Sequence, residues 1–250
     1  MIPRAPAAPN CVPKHNPTMS GRGEKLRGIA QRLSALLAER FGAPAPFTLE
    51  ATLNWLPSVP DQTRYAAVWN ELEAVYAVLL DDRWTLAARL AEQANVLRFG
   101  PMRVDAYFDT PYNFIFEFDE EQHFNIHRLR TLDAASFYNR CAFDVDAYRT
   151  ICRAQPGSVG ETSFFKLKSC DPLFPPLFEG AAQDNRTRQR AFRDVLKDLA
   201  PQAWPHLNPT LRVSWQVTHG KRGYFDERDI DAVVQHLLDN RFLDGMVLRE

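Results

Sequence analysis

In the run FIFEFDEEQHF, residues 114–124, an apolar stretch carries Glu117 and Asp119 two positions apart. Residues i and i+2 of a strand project to one face. The spacing therefore predicts two carboxylates side by side at the end of a greasy strand. Glu120, Glu121, Gln122 and His123 follow at once. Burying one ionised carboxylate is costly and crowding several is worse, unless a cation offsets them. Oxygen ligands suit Mg²⁺ or Mn²⁺. With Asp105 upstream, the expected metal ligands are Asp105, Glu117 and Asp119. His123, in the following turn, titrates near neutral pH and is expected as general acid or base. A bound divalent ion acidifies its water and neutralises phosphate oxygens. The predicted chemistry is hydrolysis of a phosphodiester, with Asp105, Glu117, Asp119 and His123 as the catalytic set. The competing reading is a solvated strand end, with Glu120 and Glu121 in a turn and His123 packed or capping.

Several elements must position these groups. Leu26, Ile29, Leu33, Leu36 and Leu37 recur at helical spacing over residues 22–41, and Gly42 with Pro44 and Pro46 ends that helix. Helices are also expected over 62–80, with Asp61 as N-cap, and over about 83–94. Three strands follow, at about 95–99, 102–108 and 113–119. RVDAYFD alternates as a half-buried strand does, whereas FIFEF reads as a central strand. Residues 184–199 form a helix with Ala191, Val195 and Leu199 on its buried stripe. LRVSWQV is a strand, and DERDIDAVVQHLLDN a final helix. The expected organisation is a Pro-rich arm at 1–20, a helical extension at 21–61, and an α/β core over 62–250. An insertion at about 125–183, with a helix pair and a proline- and phenylalanine-rich loop, interrupts that core. Strands mixed with helices imply a central mixed sheet flanked by helices.

Composition narrows the partners. The 250 residues are 45% hydrophobic and 24% charged, with a formal net charge of −1. A nucleic-acid face would therefore be local rather than global. No apolar run approaches the ~20 residues of a membrane span, and the N-terminus lacks an apolar signal core. Cys11, Cys141, Cys152 and Cys170 are scattered, which fits a reducing cytoplasm better than a disulfide framework or zinc site. The basic residues gather on the 184–199 helix. Arg186, Arg190, Arg193 and Lys197 lie three or four apart and form one stripe, while Arg188 lies off it and is placed to point toward the site. Guanidinium grips phosphate in a fork, so this stripe, with Arg128 and Arg130 after the acidic motif, is expected to bind DNA. Tyr107, Tyr112, Phe124 and Phe137 are near enough to stack on bases, although most aromatics of this kind fill a core. Glu73, on the helix before the first strand, is a possible additional acid.

The order helix, strand, strand, strand, helix, strand with an acidic third strand resembles the PD-(D/E)XK, or restriction-endonuclease-like, nuclease superfamily. That core is α-β-β-β-α-β, with an Asp on its second strand and Glu-x-Lys on its third. Asp105 and Glu117-Phe118-Asp119 take those places here, with Asp119 where the lysine is expected. Glu-x-Asp followed by a histidine looks like the very-short-patch-repair-like branch. The resemblance then carries over to Glu117, Asp119, His123, Asp184 and Arg188, and makes Asp184 a further acid. It implies a Mg²⁺-dependent endonuclease acting on DNA in restriction, repair or phage defence, working as a homodimer or with a defence or repair partner. The alternative is a non-catalytic α/β binding module that retains the fold.

Overall fold

The apolar run that ends in Glu117 and Asp119 forms strand β5, Phe114–Asp119, buried along its whole length. A computed structural model describes residues 21–134, 138, 140–154, 171–177, 185–218 and 227–249. In it β5 is a central strand of a four-stranded mixed sheet. Strand β1, Phe47–Leu49, pairs antiparallel with β4, Ala106–Phe108, and β4 pairs antiparallel with β5. Strand β6, Leu211–Ser214, runs parallel to β5 on its other side, with Glu117 beside Arg212 and Asp119 beside Ser214. A parallel pair needs a crossover. Helices α4 (Ile126–Ala134), α5 (Val145–Ala154) and α6 (Asn185–Ala203) lie within it.

Alternation along β5 divides the core into two layers. Phe114, Phe116 and Phe118 pack with Leu26, Ile29, Leu33 and Leu37 of α1, Gly21–Phe41, and with Val233 and Leu237 of α7, Glu227–Asp239. Ile115 packs the opposite way, in a cluster with Tyr76 of α2 (Trp69–Leu79) and with Phe192, Val195 and Leu196 of α6. Glu117 and Asp119 share the parity of Ile115, so period-2 geometry turns both carboxylates toward α6. The architecture is a mixed sheet flanked by helices, as expected.

Several boundaries differ from expectation. Residues 21–61 hold α1 as expected, but also β1, an edge of the main sheet, and β2, Thr52–Pro57. A strand of three residues shows no readable alternation. The expected strand at 95–99 is instead turn and coil, with Leu97 buried but Val96 and Phe99 exposed. It lies between α3 (Leu86–Glu92) and Gly100-Pro101, where the proline cannot donate a ladder bond. The expected strand at 102–108 is two strands. Strand β3, Pro101–Arg103, pairs with β2 in a separate two-stranded sheet, and Asp105 sits in the bend before β4. Helix α2 begins only at Trp69, after a 3-10 turn at Ala66–Val68. The expected end of α1 holds, Gly42 closing it at φ 73° with its N–H on the Ala38 carbonyl, whereas α6 runs past the expected Leu199 to Ala203 with Pro201 inside it. The Pro-rich arm at 1–20 lies outside the described residues. Among the described residues no helix is long and apolar enough to cross a membrane.

Candidate active site

Beneath the sheet end is a buried network of charge. Lys197 Nζ donates to Glu117 Oε2 at 2.6 Å, and the Asp105 backbone N–H donates to Glu117 Oε1 at 3.2 Å. The Asp105 carboxylate in turn accepts the Phe118 N–H at 2.9 Å. Two residues on, Asp119 is gripped by Arg212, whose Nη1 lies 2.9 and 2.8 Å from its two oxygens. The Tyr148 hydroxyl donates to Asp119 Oδ2 at 2.9 Å. Arg212, with no solvent exposure, also reaches Asp198 through Nε at 2.5 Å and the Asp194 carboxylate through Nη2 at 3.4 Å. Asp198 accepts from Arg128 at 2.8 Å. Buried charges persist only when paired and hydrogen-bonded, and this register supplies the pairing. Arg212 sits on the neighbouring parallel strand, and Asp194, Lys197 and Asp198 come from one face of α6.

His123 closes the network toward solvent. Asn125 caps α4 by accepting the His127 and Arg128 N–H groups at 2.9 and 3.0 Å, and a 3-10 turn at Glu121–His123 precedes it. That turn brings His123 Nδ1 within 3.0 Å of Asp194 and 3.3 Å of Asp119. Burial opposes an imidazolium there, but Asp194 and Asp119 outweigh it and raise the His123 pKa. Burial would likewise raise Asp194, yet His123 and Arg212 hold it well below the usual carboxylate range, and Arg212 and His123 depress Asp119. Burial pushes Glu117 up to about 7 against the pull of Lys197. Three carboxylates, Asp119, Asp194 and Asp198, thus face two guanidiniums, Arg212 and Arg128. The raised imidazole pKa registers the remaining negative charge.

Asp119, His123 and Asp194 each offer a ligand atom within 4.8 Å of the others. Two carboxylates and an imidazole form a donor set that suits Mn²⁺ and related divalent ions. A metal ion at these atoms would displace the His123 proton and compete with Arg212 for Asp119.

Over His123 and Asp194 lies a cleft of about 330 Å³, lined further by Arg103, Arg186, Arg190, Arg193 and Lys197, with Ser58, Pro101 and Met102 on its wall. The four α6 residues recur at i, i+4, i+7 and i+11, which is one helical face. Burial lowers the pKa of Arg190 and Arg193, and Arg186 beside each lowers it further. Cations crowded in this way are relieved by an anion.

The expected site residues separate as follows. Asp105 and Glu117 come together, and Asp119 comes together with His123, but Asp105, Glu117 and Asp119 are not the group of three that converges. Asp194 joins the latter pair instead. Arg186, Arg190, Arg193 and Lys197 share the cleft, and Lys197 is also a buried partner of Glu117. Arg188 is fully buried and does not line the cleft. Arg128 is also buried, held by Asp198 and Tyr138. Arg130 is exposed and pairs with Asp81 at 2.8 Å, off the cleft. Glu73 accepts the Leu86 and Ala87 N–H groups at 2.7 and 2.8 Å and so caps α3 rather than serving the site. Of the aromatics, Tyr112 and Phe124 are core. Asp184 and Phe137 lie outside the described residues. Asp194, Asp198, Tyr148 and Arg212 were not anticipated. The readable signal for the first two was their place beside Ala191, Val195 and Leu199 on the buried stripe of α6.

A protein-family comparison matches residues 85–216, from α3 through β6, to a family of unknown function, DUF7255. No curated protein and no solved structure matches the chain. The matched span covers more than half of the 250 residues and includes Asp105, Glu117, Asp119, His123, Asp194, Lys197 and Arg212. The chain belongs to the DUF7255 family.

Proposed function

We propose that the cleft takes a phosphodiester of nucleic acid, and that the protein is a metal-dependent nuclease with DNA as its substrate. One observation carries this reading: five basic side chains line a cleft that also reaches His123 and Asp194, two members of a group able to hold a metal ion. An anionic substrate would thus be drawn to a place where acid, imidazole and basic side chains converge. This reading keeps the resemblance to PD-(D/E)XK nucleases. Their Glu-x-Lys pairs an acid with a lysine on one strand, and here Lys197 brings an ammonium to Glu117 from α6. The strand order β1-β4-β5-β6, two antiparallel pairings followed by a parallel one, is compatible with that core when α1 and β1 supply its first helix and strand.

Roles follow from position. Arg186, Arg190 and Arg193 bind and orient phosphate oxygens. Lys197, at the cleft and on Glu117, offsets charge that develops on the phosphate. Asp119, His123 and Asp194 would hold the ion, which when bound supplies an acidified water and charge neutralisation. Arg212 and Tyr148 fix Asp119, and His123 and Arg212 keep Asp194 ionised. The unpaired thiols of Cys141 and Cys152 fit a reducing, cytoplasmic setting.

A second reading is a phosphate-binding module that does not cut. It is favoured by Arg212, which already occupies both oxygens of Asp119. The deciding experiment incubates the purified protein with plasmid, single-stranded DNA and RNA, with Mg²⁺, with Mn²⁺ and with chelator. Metal-dependent cleavage that His123→Ala and Asp194→Asn both abolish, while their thermal melts stay cooperative, supports the nuclease. Binding without cleavage under either metal supports the module.

A further inference from the structure

A second cavity adjoins the cationic cleft. It has a volume of about 220 Å³ and shares Ser58 and Arg193 with the cleft. Its lining differs in kind. Val59, Val96, Leu97, Leu173 and Phe174 give it apolar walls, and Asp171, Gln189 and Arg98 add a few polar groups. Few convergent polar groups on an apolar wall are the usual makeup of a small-ligand site. The loop that carries Val96 also carries Phe99, and these two are 53% and 62% exposed. Only two other large apolar side chains among the described residues are comparably exposed, Val247 and Leu248. Val59, Leu97, Leu173 and Phe174 belong to the buried core, whereas Val96 and Phe99 stand at its edge in solvent. Phe174 is the aromatic side chain in the cavity lining, and aromatic faces are what bases stack on where a basic groove holds the backbone.

Resting on the nucleic-acid reading of the cleft, we infer that the side cavity seats a base of single-stranded nucleic acid while the cleft holds its phosphate. Arg193, which faces both spaces, marks the junction between sugar-phosphate and base. A single strand presents such a base without breaking a pair, whereas a duplex would first lose stacking and pairing worth a few kcal/mol. Ser58 and Arg98 bring polar atoms to the cavity, while Gln189 donates to Asp171 and accepts from Arg186.

Fluorescence anisotropy in chelator tests this without cleavage. The probes are a labelled oligothymidylate and an abasic oligonucleotide of the same length and charge. Wild-type protein should bind the oligothymidylate roughly tenfold more tightly, the range that contacts to one base supply. Val96→Ser, neutral and at an exposed position, should bring the two affinities together by weakening only the oligothymidylate. Equal binding of the two probes by the wild type overturns the side-cavity assignment and leaves the cleft reading standing. An unchanged ratio in Val96→Ser overturns it as well. Failure to bind either probe removes the nucleic-acid reading itself, and the inference with it.

Discussion

Lys197 Nζ lies 2.6 Å from Glu117 Oε2, which ties the cleft face of α6 to the central strand across 80 residues of sequence. The pair is almost fully buried, with side-chain exposures of 11% and 4%. One contact thus links the structural core to the surface that meets substrate.

Removing one partner of a buried pair strands the other, at a cost of about 3–5 kcal/mol. Lys197→Met should fall at the lower end, because Glu117 can answer by taking up a proton. The double variant Glu117→Gln/Lys197→Met should lose less than the sum of the singles, by about 1 kcal/mol or more. A double-mutant cycle in urea checks this, and strict additivity would contradict the pairing.

The same site predicts a pH dependence of stability. Burial, partly offset by Lys197, raises the Glu117 carboxyl from 4.5 to about 7. The folded state therefore holds this proton more tightly than the unfolded chain. That contribution is complete below about pH 4.5 and is lost as pH rises through about 7. Relative to Glu117→Gln, the wild type should lose stability between about pH 5 and pH 8, by at most about 3 kcal/mol. Paired melts across that range measure it, and a constant gap would assign the titration elsewhere.

A divalent ion that binds only the folded state raises stability, by about 2.7 kcal/mol at a hundredfold excess over its dissociation constant. Mn²⁺ should therefore raise the melting temperature of the wild type but not of Asp194→Asn. Absence of a shift at millimolar Mn²⁺ would end the metal-site reading while leaving the anion cleft intact.

Phosphate contacts release counterions, so each one lost should reduce the salt slope of binding by about 0.7–0.9. Arg190→Ala and Arg193→Ala should each do this with single-stranded DNA. Arg130→Ala, which breaks only the exposed pair with Asp81, should leave the slope unchanged. Titrations at several salt concentrations separate the three.

Glu73 has a purely structural part. Glu73→Ala should cost about 1 kcal/mol by uncapping α3, with nucleic-acid affinity unaltered. A loss of affinity at unchanged stability would return Glu73 to the site.

Local periodicity made much of this molecule readable. The i, i+2 spacing in FIFEFD placed Glu117 and Asp119 on one face, and the three- and four-residue steps of α6 placed Arg186, Arg190, Arg193 and Lys197 on one stripe. Period 3.6 likewise marked α1, and Gly42 its end. The misreadings have physical causes. β1 is too short to alternate, and the loop at 95–99 has an apolar run without a partner strand. Glu73, Arg128 and Arg188 have the same residue types as site residues, and charge alone does not reveal whether a side chain caps, pairs in the core or meets a ligand.

Sequence by itself determined which residues share a face, because backbone geometry repeats over a few positions. Which faces meet was decided by tertiary structure alone. The parallel pairing of β5 with β6 put Arg212 beside Glu117 and within reach of Asp119, and the crossover laid α6 over both. Asp194 became a neighbour of His123, 71 residues away in the chain. Such contacts depend on packing and charge balance summed over the whole core, and no short stretch of sequence encodes that sum.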